Sequence, residues 1–249
     1  MRFRAVLRQA LDGLSDRETE SALADRLSFR RFCGLGLTEG VPDHTVHCRF
    51  RAAVVEPGAM ERRFGGLDRQ RDAAGVLEKR GTMPDATLVA SPSARPRDGK
   101  VGPARDAEAG SARRQGKPGS VWGCKAHLGV DEASALVRKV VVTAADVNGT
   151  VVADALLSGV ACQVLADAAC HTHARQAALM AAALMAATLK VAGVKPRLAR
   201  PAAAETTFAT WKNRMGLTAI RYVGLARATA QVTMVALAFN LRRWAALAA

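Results

Sequence analysis

The sequence predicts an α/β protein in which a small helical region precedes a mixed sheet with flanking helices. Three observations lead to this reading. The first 80 residues hold capped segments with helical spacing of their apolar side chains, and the period changes to β-rich runs near residue 85. Beyond that point the order is strand, hairpin, strand and helices, which describes a mixed sheet. The division predicted is 1–80 and 81–249.

The elements follow in order. Ser15 with Glu18 three residues on is a capping box that opens a helix over 16–27, with Leu23 and Leu27 one turn apart on a buried face. Ser28 is a candidate cap for a short helix that Gly34 ends. Asp43 caps a helix over 44–55 that displays Arg49 and Arg51, and Pro57-Gly58 stops it. A helix over 59–74 sets Met60, Phe64 and Leu67 on one stripe. Short helices joined by tight turns, one of them basic, fit a helix-turn-helix module, and the same pattern fits an ordinary helical bundle.

A strand is expected over 85–90, starting after Pro84 because proline cannot donate to a ladder. Residues 91–120, rich in Pro, Gly, Ser and Arg, read as a loop or flexible insertion. Runs at 122–130 and 136–143 form a hairpin around Asp131-Glu132-Ala133-Ser134. A short helix over 151–157, a strand over 162–165 leading to Asp167, an alanine-rich helix over 173–189, a helix over 202–215 and a last helix from residue 227 complete the chain.

Charge narrows the partners. Residues 1–80 carry 15 basic and 12 acidic side chains, 81–160 carry 10 and 8, and 161–249 carry 11 and 2, within a formal net charge of +14. A pI near 10.6 predicts salt-sensitive attraction to nucleic acid. The basic residues do not line one face of a long amphipathic helix, so an anionic membrane is the poorer partner. The longest apolar run, 177–189, is too short to span a bilayer, and the start of the chain lacks the apolar stretch of a signal peptide. Five cysteines, an odd number without paired spacing, indicate reduced thiols. The expected location is cytoplasmic.

From Ala155 onward the only acids are Asp167 and Glu205, against eleven Lys and Arg. Isolated carboxylates in a basic setting suit a hard divalent cation that brings phosphate with it. With Asp85 at the start of a strand, three carboxylates occupy distinctive positions. If they converge, they suit two cations about 3.5–4 Å apart that drive an in-line attack on phosphate. Cys170-His171-Thr172-His173 and the group Cys33, His44, His47 and Cys48 lack the paired spacing of zinc ligands. Phe208, Trp211 and Met215, at helical spacing, read as core rather than as base-stacking platforms.

The wording around these acids is more specific than their spacing. The stretches Leu14-Ser15-Asp16-Arg17-Glu18-Thr19-Glu20, Leu27-Ser28-Phe29-Arg30-Arg31-Phe32, Val41-Pro42-Asp43-His44-Thr45, Cys48-Arg49-Phe50-Arg51, Gly81-Thr82-Met83-Pro84-Asp85-Ala86-Thr87-Leu88-Val89, Lys125-Ala126-His127 and Leu237-Ala238-Phe239-Asn240-Leu241 resemble DDE transposases of bacterial insertion sequences, the insertion-sequence-five group. The resemblance spans nearly the whole chain. It implies a helical DNA-binding region before a ribonuclease-H-like catalytic domain, with Asp85, Asp167 and Glu205 as catalytic ligands of Mg²⁺ or Mn²⁺. It also implies double-stranded DNA, at element ends and target, as substrate; a homo-oligomer as the working assembly; and association with the nucleoid. Arg49, Arg51, Lys212 and Arg214 are the expected DNA contacts, Lys212 matching the lysine that follows the glutamate in the family.

The chain departs from the family pattern beside its ligands. Ala168, Ala169 and Cys170 follow the second Asp where charged, glycine or aromatic residues are usual, and Leu198 and Pro201 stand where a Tyr and an Arg normally precede the glutamate. The N-terminal region is expected to start part-way through its domain, exposing Val6, Ala10 and Leu14 on the first helix. The alternative reading is therefore a catalytically impaired DNA-binding remnant.

Overall fold

The computed structural model describes residues 1–55, 58–75, 82–95, 106–114, 118–157 and 202–248. Five helices come first: α1 (Arg2–Asp12), α2 (Asp16–Asp25), α3 (Leu27–Cys33), α4 (His44–Val54) and α5 (Ala59–Ala73). Four strands, β1 (Thr82–Ala90), β2 (Gly110–Arg113), β3 (Ser120–Asp131) and β4 (Val137–Ala144), are followed by α6 (Gly149–Leu157), α7 (Ala202–Asn213) and α8 (Leu225–Leu247). The strand expected over 162–165, Asp167 and the helix expected over 173–189 lie outside the described residues.

The helix boundaries follow their caps. At α2 the Glu18 amide donates to Ser15 Oγ (3.2 Å) and the Ser15 amide donates back to Glu18 Oε2 (2.7 Å). At α4 the Val46 amide donates to Asp43 Oδ1 (2.9 Å). Ser28 does not cap α3. The preceding helix ends at Asp25, so this one starts two residues earlier than a Ser28 cap implies, at Leu27, which is exposed rather than buried, and extended Arg26 holds the cap position without a side-chain bond.

The sheet also corrects the sequence reading. Strand β1 begins at Thr82, so Pro84 lies inside it. Among the described residues β1 pairs along its length with β3 alone, and an edge strand tolerates a proline whose missing N–H faces outward. The 91–120 segment contains β2, which pairs antiparallel with residues 120–123 of β3. Gly-Ser-Ala-Arg carries no β-branched residue, so pairing rather than propensity makes the strand. A Cβ at Gly110 would stand 2.1 Å from Asp146 Oδ1, and one at Gly123 2.1 Å from the Val89 carbonyl oxygen. The strand therefore passes only where side chains are absent. Acids of the same segment cap α8, because the Gly224 amide donates to Asp106 Oδ1 (3.2 Å) and the Leu225 amide to Glu108 Oε2 (2.9 Å).

Gly123 faces Ala90 on one side and Gly110 on the other, and Cys124 faces Val89 and Ala144. Strands β2 and β4 thus lie end to end along the edge of β3 opposite β1. All named strands pair antiparallel. Among the described residues, parallel pairing is confined to a bridge between Ala90 and Ala219, where the Ile220 amide donates to the Ala90 carbonyl at 2.7 Å. The predicted hairpin turn forms, with the Asp131 amide donating to the Leu136 carbonyl (2.8 Å) and Asp131 Oδ2 accepting from the Ser134 hydroxyl (2.7 Å).

Each sheet face has its own cover. Val89, Cys124, Ala126, Leu128 and Val130 belong to one buried core with Val232, Val235 and Phe239 of α8, Phe208 and Trp211 of α7, Met60, Phe64 and Leu67 of α5, and Val6 and Leu7 of α1. Trp211 is fully buried and meets Phe208 and Phe239 edge-on at 6.2 and 6.3 Å, so these aromatic rings are core. Helix α6 lies against β1, β3 and β4, where Gly129 lets the Leu156 carbonyl oxygen come within 3.3 Å of a Cβ position. The expected exposure of α1 is overturned: Val6 is buried, Ala10 packs on the main core, and Leu14 packs on a second cluster of Ala5, Ala22, Leu23, Phe29 and Cys33.

One polar tie fixes α8 to the sheet. Fully buried Asn240 accepts from the Val137 amide (2.9 Å) and donates to the Val137 carbonyl (2.7 Å), beside the irregularity at Gly129/Val130 where β4 begins. Asn240→Leu leaves a buried donor and acceptor unmatched, and should cost roughly 2–4 kcal/mol of stability. Urea unfolding at neutral pH measures it, and a loss below about 0.5 kcal/mol would show that Val137 finds other partners.

Candidate active site and nucleic-acid interface

Two of the three predicted ligands lie on elements that touch. Asp85 is half-buried on β1, and its register partner is Leu128, so its side chain belongs to the sheet face covered by α7 and α8. Its Oδ1 accepts from the Ala86 amide at 2.7 Å. Glu205 is exposed in the first turn of α7, a favourable place for a carboxylate near the helix N-terminus. Helix α7 packs on β1 and β3, so the elements that carry the two acids are neighbours. Asp167 lies outside the described residues. Among the described residues no group of three or more His, Cys, Asp or Glu side chains is arranged for a metal ion. The donor chemistry nevertheless fits Mg²⁺ or Mn²⁺, because carboxylate oxygens are what hard cations take.

Beside Asp85 the surface turns basic. Ala86, Thr87 and Leu88 of β1 line a cavity of about 290 Å³ with Ala112, Arg113, Arg114, Lys125 and Lys212. Lys212 reaches it from the last turn of α7, two turns beyond Glu205. Lys125 is half-buried, its ammonium donating to the Val147 carbonyl at 2.7 Å. Arg113 and Arg114 are exposed and lie in the segment that the sequence reads as a loop or flexible insertion. The signal that could have found them is a small-residue run ending in two arginines, short enough to be an added strand.

The other expected DNA contacts divide. Arg49 is exposed on α4, and Arg214 is exposed just after α7. Arg51 is not displayed. Its side chain is only 14% exposed, ion-paired to Asp16, bonded to Gln9 Oε1 at 2.9 Å and stacked over the Tyr222 ring at 5.2 Å. Burial works against the charge of Arg51, but the bond and charge of Asp16 together with Tyr222 and Cys48 outweigh it and hold the guanidinium above its ordinary range. Burial likewise opposes the Asp16 charge, and the bonds from Arg51 and Gln9 more than offset it, so its carboxyl titrates below the ordinary range. Arg51 therefore joins α4 to α2 and to the α7–α8 connection. In the Cys33, His44, His47 and Cys48 group, Cys33 is buried in the second cluster and His44 is bonded to Glu20 at 3.1 Å.

His127 faces away from Asp85. Its register partners Ala86 and Val141 put it on the α6 side of the sheet, where it is 1% exposed. The Thr143 hydroxyl donates to the Ala144 carbonyl (3.0 Å), so His127 Nε2 is the donor across the 2.9 Å contact with Thr143 Oγ1. Burial, with Lys125 nearby, pushes the imidazole pKa down to about 4. The unfolded chain has an imidazole pKa of about 6.5, so this group's contribution is complete above that pH and is lost as pH falls toward about 4. His127→Gln keeps the donor and removes the titration. Its unfolding free energy should therefore fall less between pH 6.5 and 4 than that of the wild type, as followed by urea melts; parallel curves would show that His127 does not carry the effect.

Comparison with known proteins bears on both ends of the chain. Residues 1–53 match the family described as Transposase domain (DUF772). Residues 161–245, which hold Asp167, Glu205, Lys212 and Arg214, match the family described as Transposase DDE domain. Asp85 falls in neither match. No solved structure matches the chain. Similarity to transposase families at both ends supports a transposase of the DDE type.

Proposed function

We propose that this chain is an insertion-sequence transposase, of the insertion-sequence-five group, that cuts and joins DNA at the ends of its own element. The observation that carries the reading is the match to the transposase DDE domain over residues 161–245. It includes α7, the helix that carries Glu205 and Lys212 and that packs on the strand bearing Asp85. In this reading the 81–249 region has a ribonuclease-H-like fold, and the 1–80 region recognises element ends while sharing its core.

Asp85, Asp167 and Glu205 hold Mg²⁺ or Mn²⁺. Such cations polarise a phosphoryl oxygen and lower the pKa of an attacking water or 3′ hydroxyl. The chain's own part is to fix the carboxylates from a strand and a helix anchored in one core, and to neutralise the DNA backbone with Lys212 and Arg214. Arg49 meets duplex from α4, and Arg51 sets the position of that helix through Asp16. Among the described residues no helix is long and apolar enough to cross a membrane.

The test is strand cleavage of a duplex carrying the element ends, by the full chain with Mg²⁺ or Mn²⁺. Asp85→Asn, Asp167→Asn and Glu205→Gln should each lower the rate by about 100-fold or more, with unchanged far-UV circular dichroism. Wild-type protein that binds DNA but does not cut it marks a catalytically impaired copy. Cleavage that survives all three substitutions overturns the ligand assignment.

The basic residues give a separate expectation. Arg49→Ala should reduce preference for the element end over random duplex, whereas Lys212→Ala with Arg214→Ala should weaken both alike and flatten the salt dependence. Equal effects on cognate and random DNA from both sets would remove the recognition role from α4.

A further inference from the structure

Another cavity, of about 200 Å³, opens where the N-terminal helices meet the last helix. Helices α1 and α4 form one side of it, and the α7–α8 connection with α8 forms the other. Val6, Ala10, Ala230 and Val235 give it an aliphatic wall, and the thioethers of Met215 and Met234 reach it from the main core. No acidic side chain is among those that line it. A space of roughly 150 Å³ walled by apolar side chains is enough for benzene, so this one has room for a single ring with a short substituent. Thioether sulfur and the faces of aromatic rings favour a flat π-system over a saturated chain.

The polar groups of the wall differ in what they can still bind. Arg221 is committed, its two terminal nitrogens donating to the Leu14 and Gly13 carbonyls. Arg51 gives its terminal nitrogens to Asp16 and Gln9, whereas its Nε is buried with no hydrogen-bond partner among the described residues. The Arg51 guanidinium lies over the Tyr222 ring, and the Tyr222 hydroxyl has no hydrogen bond among the described residues. Burial raises this phenol above its ordinary range, so at neutral pH it keeps its proton and remains a donor. Arg227, in the first turn of α8, is exposed, lines the same cavity and pairs with no acid among the described residues. A buried donor without an acceptor is costly, and a ligand that brings an acceptor removes that cost. Apolar walls, unmet donors and a cation at the mouth call for a ligand with a flat apolar body and an anionic head. A free inorganic anion would leave the apolar wall unused, and a duplex is far too wide to enter.

We infer that this cavity binds a small aromatic carboxylate, its ring held between Met215, Met234 and Tyr222 and its carboxylate facing Arg227. The site lies apart from Asp85 and Glu205, and the inference does not depend on the transposase reading. Its walls come from both ends of the chain, so a bound ligand adds contacts that bridge α1 and α4 to α8 and stabilises the folded protein by mass action.

The experiment uses the full chain with phenylacetate as the probe, phenylacetamide as its neutral counterpart and cyclohexylacetate as its saturated one. Cys48 supplies a local readout, since it lines the cavity from α4 and is exposed, whereas Cys33 and Cys124 are buried. Phenylacetate should slow alkylation of Cys48 by iodoacetamide, followed by peptide mass spectrometry, and should raise the melting temperature as its concentration rises. Half-protection should need about tenfold more phenylacetamide, the loss expected for one charge-assisted hydrogen bond. Arg227→Gln should weaken phenylacetate about tenfold and leave phenylacetamide within about twofold. Equal protection by acid and amide, or equal weakening of both in Arg227→Gln, would overturn the carboxylate assignment. Cyclohexylacetate that protects as well as phenylacetate would overturn the aromatic one. Ala230→Leu narrows the cavity and should abolish protection by all three probes. Ala52→Phe fills it from an exposed position of α4 should the α8 variant fail to fold. Protection that survives both fillings, or no effect of any probe on Cys48 and on melting, overturns the site. Sedimentation velocity tests the other occupant: self-association that Ala230→Leu abolishes, with no ligand protection of Cys48, assigns the cavity to a second copy and overturns the small-ligand reading.

Discussion

Helix α8 holds the protein together, and its contact with the start of β4 is the constraint on which the other placements depend. An apolar helix laid on a sheet has many near-equivalent positions, because dispersion contacts are individually weak and non-directional. The two bonds between Asn240 and Val137 remove that freedom. They fix translation and rotation of α8 at one point, where the sheet is already irregular. Arg243 adds a bond from its Nε to the Ser134 carbonyl (2.8 Å) one turn further on. Everything packed on α8 inherits this registration, including α1, α5, Trp211 of α7 and the core face of β3.

The same arrangement explains why the N-terminal helices do not form a separate body. Met60, Phe64 and Leu67 of α5 and Val6 and Leu7 of α1 enter the core that contains the sheet. Arg221 bonds to the carbonyls of Leu14 (2.6 Å) and Gly13 (3.3 Å). The proposed division by function between residues 1–80 and 81–249 would thus be carried on shared packing, and charge contacts such as Arg51 with Asp16 knit α4 to the rest.

Much of this was legible in the sequence. The caps of α2 and α4, the helical stripe of α5, the hairpin at Asp131 and the burial of Trp211 all follow from local chemistry, since each is decided by residues close in the chain. What was missed depends on distant partners. Nothing local marks Gly-Ser-Ala-Arg as a strand until β3 supplies its ladder, and Pro84 sits in a strand that, among the described residues, pairs along its length with β3 alone. Arg51 looked displayed because helical spacing cannot show that Asp16, 35 positions earlier, lies opposite. For the site, Asp85 and Glu205 were nameable from motif, but the basic wall of Arg113 and Arg114 was not, because it depends on the same unrecognised strand.

The junction of Gly13 with the link after α7 has a mechanical consequence. Both Gly13 and Gly216 have positive φ, and a Cβ at either would stand 3.1 Å from backbone of the other segment. Two bare backbones are therefore pressed together where the turn after α1 meets the end of the helix carrying Lys212. Such a joint has no side chain to act as a compressible cushion, so displacement on one side is transmitted to the other nearly undiminished. The α1–α2 turn and the end of α7 are thereby held at a fixed separation by contact of main chain on main chain, and a side chain added at either glycine would force them apart.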